Sequence, residues 1–291
     1  FDYFSAFGDY KPPLSIYLTA ISVKLFGLTE WSVRLPSALL GLFTVLLVFL
    51  LLEEFRKVFK SKSLNSYFSL LAAFILAVSP WHTLLSRQMF EANIATFLIV
   101  FAVYLFIKAL NSKNWLFIPS ALLFASSLYT FNSPRVFVPI LLSGMFIFFF
   151  KELKQNFKWF IVFGSLFVVV LLPLVPHMIS PLGQLRFKEV NIFSDPGVVI
   201  KANTRMELDK NDLISKIVHN RRVGYALLFL NHYLDNFNID YLFFRGDINP
   251  KFSTRSTGQM FLIESVFMLA GVYFLLKKER KMGLFLMFWL L

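Results

Sequence analysis

The chain of 291 residues contains no cysteine, so a disulfide framework, a thiolate metal site and a thiol nucleophile are all excluded. Charge is scarce at 16% of residues, and glycine and proline number only 12 each, too few for a collagen-like or linker-rich chain. Any chemistry must come from carboxylates, histidines, hydroxyls and basic side chains. The four histidines, His82, His177, His219 and His232, show no metal-ligand spacing, and no glycine-rich phosphate loop precedes a helix. Nucleotide binding is not indicated.

What is abundant is apolar surface. Hydrophobic residues make up 57% of the chain and phenylalanine alone contributes 38 positions, far from the usage of a soluble domain. The composition predicts a polytopic, all-α membrane protein. A net charge of +12 would suggest nucleic acid in a soluble protein, but here the cations flank apolar runs. Anionic lipid headgroups and the orientation rule for membrane helices account for them, leaving nucleic acid out as a partner.

A bilayer-crossing helix needs about 20 mainly apolar residues. Residues 14–26, bounded by Pro13 and Gly27 and carrying Lys24, read as a helix in the interface. Spans are expected over residues 35–52, 64–78, 94–110, 115–130, 136–150, 159–175 and 260–276, with an eighth beginning at Met282. The loops at 53–66, 108–114, 151–158 and 277–281 are dense in Lys and Arg, whereas those at 1–34, 80–93 and 131–135 are poor in them. The first set is therefore assigned to the cytoplasm and the second faces outward. The chain starts without Met or a charged-then-apolar leader and stops inside the apolar run Phe288-Trp289-Leu290-Leu291, as expected of a piece cut at both ends.

Three parts follow: an N-terminal bundle with outward loops over 1–175, an extracytoplasmic region over 176–259, and C-terminal helices over 260–291. The middle part is too long for a passive connector. Within it, residues 211–234 carry apolar side chains at helical spacing, including Leu213, Ile214, Ile217, Val218, Leu227 and Leu230, which predicts an amphipathic helix on the membrane. No internal repeat is visible.

Each outward loop holds a small polar cluster. The first has Asp9, Lys11, Glu30 and Arg34; the second has His82, Arg87 and Glu91; the third runs Asn132-Ser133-Pro134-Arg135. One reading brings Lys11, Arg87 and Arg135 onto a phosphate, with Arg as a forked donor and Lys as a point charge. The plain alternative for each cation is snorkelling at a helix end. Arg87 and Glu91, four apart, would share a helix face and form a local ion pair, and Asp9 after Phe7-Gly8 suits a turn. His82 follows Trp81 at the expected interface, and Glu264 sits near the outer end of the 260–276 span with its role open. Chemistry on a phosphorylated ligand sets a base beside a phosphate-stabilising cation, so Asp9 and Glu91 are the carboxylates to watch.

The runs Gly8-Asp9-Tyr10-Lys11-Pro12-Pro13-Leu14, Leu25-Phe26-Gly27 and Val33-Arg34-Leu35-Pro36-Ser37-Ala38-Leu39 resemble the first outward loop and second span of glycosyltransferase family 39. Ser86-Arg87 with Glu91, and Ser133-Pro134-Arg135 with Pro139, are similar to its next two outward motifs. Tyr241 through Pro250 resembles the Phe-rich Arg-Gly-Asp segment of bacterial members. The family comprises polyprenyl-phosphate-sugar transferases, among them protein O-mannosyltransferases and lipid A aminoarabinose transferases. The resemblance implies a GT-C-like bundle of eight or more transmembrane helices, a polyprenyl-phosphate-linked sugar as donor, and inversion at the sugar carbon. The acceptor would be a glycan, lipid or protein, and the active site would face outward from the inner or plasma membrane. Carried over, Lys11 would touch the donor phosphate, with Arg87 and Arg135 beside it. Asp9 would stand in the acidic position before Lys-Pro-Pro, and Glu91 would match a second acidic position often held by Asp. The family's principal base usually lies upstream of the Lys-Pro-Pro run, before Phe1. Arg34, Arg245 and Asp247 would be further contributors from the outward loops. After Asn249-Pro250 the chain has Lys251-Phe252, where similar sequences often continue Arg-His.

No cofactor is implied with certainty. Asp9, Glu91 and Asp247 could supply oxygen ligands to a divalent metal, although their spacing does not demand one. Two other classes share the composition: a transporter or lipid flippase, which would place ionisable groups near mid-bilayer, and a non-catalytic polyprenyl-binding subunit, which would need no acid beside the cations.

Overall fold

The computed structural model describes residues 4–6, 9–181, 183–184, 191–210 and 212–290, with backbone alone for 4–6, 9 and 10. It is almost entirely helical. Its one departure among the described residues is a short antiparallel ladder, β1 (Phe4–Ala6) with β2 (Asp9–Lys11), in register Phe4↔Lys11, Ser5↔Tyr10 and Ala6↔Asp9. The expected turn at Phe7-Gly8 lies outside the described residues.

Helix α1 (Pro13–Phe26) begins where two prolines fix the backbone, with Pro13 at a position that needs no N–H donor. It ends at Gly27, whose φ of 79° suits a residue without Cβ. With 14 residues it falls short of a span, in line with the interfacial reading. A capping box starts α2 (Glu30–Val58): Ser32 N–H donates to Thr29 Oγ1 at 3.1 Å, and Thr29 N–H to Ser32 Oγ at 3.1 Å. Ser22 Oγ donates to the Ser32 carbonyl at 2.6 Å and pins α1 to α2.

Pro80 ends α3 (Ser66–Val78) and opens α4 (Pro80–Ser86), because it cannot donate and disfavours helical backbone at Ser79. The two helices bend by 60° there, so the predicted 64–78 span continues as a broken one. The remaining bundle comprises α5 (Glu91–Asn111), α6 (Phe117–Leu128) behind a short 3-10 turn, α7 (Pro134–Phe148), α8 (Phe150–Gln155), α9 (Phe157–Leu171) and α10 (Val175–Ile179). The last two run on through a 3-10 turn as one 23-residue stretch.

Among the described residues, three helices are long and apolar enough to cross a membrane: Glu30–Val58, Glu91–Asn111 and Phe157–Ile179. The bent pair makes a fourth. Of the eight spans expected from sequence, these four at most meet this criterion among the described residues, and the expected spans at α6 and α7 form as shorter apolar helices.

The core lies where α5 is wrapped by α2, α6 and α9. Its filling explains the phenylalanine usage. Phe106 meets Phe117 edge-on at 5.1 Å and Phe163 at 5.4 Å, while Phe285 meets Phe149 at 5.3 Å and Phe55 at 5.6 Å. Without a hydrophobic drive between helices in lipid, such packing and buried polar ties hold the bundle. Two ties hold α4 and α5 to α2. Asn93 Nδ2 donates to the Ser37 carbonyl at 3.0 Å and to Ser37 Oγ at 2.9 Å, joining α5 to α2. His82 Nε2 lies 3.1 Å from the Gly41 carbonyl, joining α4 to α2.

Over residues 176–259 the structure differs from the single amphipathic helix expected over 211–234. After α11 (Pro196–Leu208) come two helices, α12 (Leu213–Val218) and α13 (Arg221–Asp235). Asn220 caps the second by accepting from Arg222 N–H at 2.9 Å, and that local bond ends the continuous helix. Leu213, Ile214, Ile217, Leu227, Phe229 and Leu230 remain exposed, so the apolar face itself is present. Helices α14 (Leu262–Lys278) and α15 (Arg280–Leu290) close the described chain. Glu264 is a cap and a tie: its carboxylate accepts from Phe261 N–H at 3.1 Å and from Ser79 Oγ at 3.1 Å.

Candidate active site

Lys11 ends β2 and is held one residue before the rigid Pro12-Pro13 pair. The start of α1 is also tied to the end of α6, since Leu14 N–H donates to the Tyr129 carbonyl at 3.3 Å. Glu91 is the first residue of α5, where the exposed amides of a helix N-terminus favour an acid. Lys11 Nζ lies 3.7 Å from Glu91 Oε1, with the two side chains 32% and 16% exposed. A cation of the first loop and an acid of the second, 80 positions apart, thus form one partly sheltered pair.

The expected Arg87–Glu91 helical pair does not form. Arg87 caps the C-terminus of α4 and Glu91 opens α5, so the helix is broken between them and Glu91 turns to Lys11 instead. Arg87 instead lines a cavity of about 490 Å³ with Arg34, Val33, Leu84, Gln88 and Met89. Arg34 also faces Glu30 at 3.4 Å. Arg135, in the first turn of α7, donates from Nε to the Leu128 carbonyl at 3.4 Å and is close enough to His177 for their charges to interact. The partners described for the three cations differ: Lys11 meets Glu91, Arg87 lines the cavity with Arg34, and Arg135 donates to the Leu128 carbonyl. Asp9 has its backbone in β2, two residues from Lys11, and its side chain lies outside the described residues.

The long region reaches this rim at specific points. Gln88 Nε2 donates to the Lys251 carbonyl at 3.2 Å, Trp81 N–H donates to the Gln259 carbonyl at 2.9 Å, and the Phe90 and Phe252 rings meet at a tilt, 5.2 Å apart. Phe90 also meets Phe131 of the third loop at 6.1 Å. Arg245 and Asp247, singled out from sequence, serve their own loop. Arg245 lies 3.7 Å from Asp240, and Asp247 accepts from Asn249 N–H at 2.7 Å in a side-chain turn. Burial and then the Asp247 charge push the Tyr241 phenol up from its ordinary value.

The segment Arg87-Gln88-Met89-Phe90-Glu91 is the hub. Its members face a cationic cavity, hold the returning loop, form an aromatic shelf and pair with Lys11. Sequence reasoning named its two charged ends and missed Gln88 and Phe90, whose roles depend on contacts more than 160 positions away. It also missed Asn93, although an amide inside an apolar run is itself a signal. Among the described residues no group of three His, Asp or Glu side chains could hold a metal ion, and Glu91 and Asp247 are engaged separately.

The arrangement sets an acid against a cation at the mouth of an apolar bundle, with further guanidiniums nearby. It is suited to holding an anionic group while taking a proton from a neighbouring hydroxyl. A scan of protein-family models matches residues 10–179 to the dolichyl-phosphate-mannose-protein mannosyltransferase family. Among curated proteins, the chain is similar to "Putative mannosyltransferase YkcB" of Bacillus subtilis (strain 168), 28% identical over 111 residues, which are 38% of this chain and 14% of that protein. No solved structure matches the chain. The match extends over more than half of the chain and contains Lys11, Arg34, Arg87, Glu91 and Arg135 in one stretch. This membrane protein belongs to the dolichyl-phosphate-mannose-protein mannosyltransferase family, a family of membrane glycosyltransferases.

Proposed function

We propose that the chain carries the outward catalytic rim of an integral-membrane glycosyltransferase that moves one sugar from a polyprenyl-phosphate donor to an acceptor on the extracytoplasmic side, with inversion. The observation that carries this reading is the Lys11–Glu91 pair at 3.7 Å, which unites in space the cation and the acid that such a transfer requires. The printed name of the curated relative makes mannose the first sugar to test. Placement in the cell membrane and an outward site rest on the cation-dense loops lying at the opposite helix ends.

In this mechanism the donor phosphate takes Lys11 away from Glu91, with Arg87 and Arg135 adding positive charge. Glu91 is then free to accept a hydrogen bond from the acceptor hydroxyl, with Asp9, two residues before Lys11 in the chain, as the second candidate acid. The hydroxyl oxygen attacks the anomeric carbon from the face opposite the phosphate, and the carbon–oxygen bond to phosphate breaks. The hydroxyl proton passes to the carboxylate, and polyprenyl phosphate leaves with the bonding electrons. Cations already in place stabilise that leaving charge without reorganisation. Arg34, Arg245 and Asp247 are placed at the margin of this step, as contributors from the loops.

The test is sugar release from a mannosyl polyprenyl phosphate by the purified full-length protein, comparing wild type with Glu91→Gln. Transfer by wild type and its loss in the variant support the proposal. A wild type that moves the lipid across vesicles without breaking the sugar–phosphate bond would instead favour the flippase reading.

A further inference from the structure

The loop from Asp240 to Met260 is folded on itself. A π turn over Asp240–Phe244 leads to Gly246, whose φ of 68° reverses the chain, and Ser253 Oγ then donates to the Arg245 carbonyl at 3.2 Å. Met260 N–H donates to the Leu242 carbonyl at 2.8 Å and Gln259 Nε2 to the Phe252 carbonyl at 3.3 Å, which closes the loop at its base. A loop tied this way presents its tip in one place. At the tip is Lys251.

Lys251 is anchored to the hub from both its backbone and its side chain. Its carbonyl accepts from Gln88 Nε2, and its ammonium lies 5.6 Å from the Phe90 ring centre and 5.7 Å from that of Phe252. Phe90 directly precedes Glu91, the acid that holds Lys11. Among the described residues no carboxylate lies within ion-pair distance of Lys251. An aromatic face attracts a cation without neutralising it, so Lys251 keeps its charge for an incoming anion, in contrast to Arg34, Arg56 and Lys57, which are paired with acids.

We infer that Lys251 is a phosphate-binding residue of the same site, delivered by the returning loop and held over Phe90 and Phe252. The inference rests on the donor reading above and extends it by assigning the late loop a ligand contact, where the sequence pointed to Arg245 and Asp247. Its ammonium joins this site through Phe90, the residue next to Glu91, while Lys11 joins it through Glu91 itself. The loop therefore helps gather the donor, and its cation acts on binding rather than on the proton.

The test measures binding of polyprenyl phosphate without sugar, and of the polyprenyl alcohol of the same chain length, to the full-length protein in detergent. The variants are Lys251→Met, Lys251→Arg and Phe90→Leu. Lys251 is exposed, so its variants should unfold at the wild-type temperature. Lys251→Met should weaken phosphate binding by about tenfold to a hundredfold and leave alcohol binding unchanged, the scale of one charge-assisted bond. Lys251→Arg should retain most of the affinity, and Phe90→Leu should lose part of it. If wild type prefers phosphate over alcohol and Lys251→Met keeps that preference in full, the inference about Lys251 is wrong. If wild type itself shows no preference for phosphate, the donor reading fails instead.

Discussion

Replacing Lys11 by Met and Glu91 by Gln, singly and together, should separate the stability of this pair from its chemistry. At 3.7 Å and an effective dielectric of ~20, two unit charges attract by about 4 kcal/mol. Water reaches both side chains, which are 32% and 16% exposed, and ordering them costs entropy. The net stabilisation should therefore be only about 0.5–1 kcal/mol, a fall of a few degrees in unfolding temperature. Catalysis should respond on another scale. Loss of a general base costs roughly 10²–10⁴ in rate, and loss of one group stabilising a developing charge costs about 10²–10³. Because each residue positions the other, the double variant should lose less than the product of the two single losses. The assay is kcat/KM for sugar release, run beside thermal unfolding of the same preparations. If both single variants unfold a few degrees lower yet transfer sugar within about threefold of wild type, the pair is structural and the catalytic argument is refuted.

Three further outcomes follow from the rim and its supports. Asn93→Ala should lower unfolding free energy by about 1–3 kcal/mol by stranding buried polar atoms of Ser37, and Asn93→Asp should not restore it, because the lost group is a donor; denaturant or thermal melts in detergent would check this. Gly41→Val should displace α4, since even a Cβ at Gly41 would overlap the Ser86 side chain; a cost of about 1–3 kcal/mol and a raised KM for donor are expected, and unchanged melting would contradict the close approach. With the Tyr241 phenol raised above its ordinary 10.0 in the folded protein, the unfolded chain ionises first. The contribution of Tyr241 to stability is then constant below its unfolded value of 10.0 and is lost as pH rises through the folded value, so Tyr241→Phe should lessen the alkaline decline in melts taken from pH 8 to 11.

Much of the fold was legible because lipid leaves few options to a backbone. Apolar runs must satisfy their own amides, so helices form where the sequence is apolar, and Pro80, Gly27 and the Thr29–Ser32 box punctuate them by local chemistry. Helix bounds were less legible. The span expected over 136–150 forms as the 15-residue apolar helix Pro134–Phe148, shortened at its C-terminal end where Phe149 breaks the helix. The single helix expected over 211–234 failed because Asn220 offers a local bond that competes with helix continuation.

The site divides the same way. Residue type alone determined that any chemistry would rest on carboxylates and cations, and that Lys11 and Glu91 were candidates, since a thiol is absent and charge is rare. Partnership was decided only by the tertiary structure. A charge four residues away is a neighbour only if the helix continues, and the break between Ser86 and Glu91 gave Glu91 to Lys11 rather than to Arg87. Likewise Lys251 acquires meaning only once Gln88 and Phe90 hold it, because electrostatic attraction depends on distance in space and is indifferent to distance along the chain.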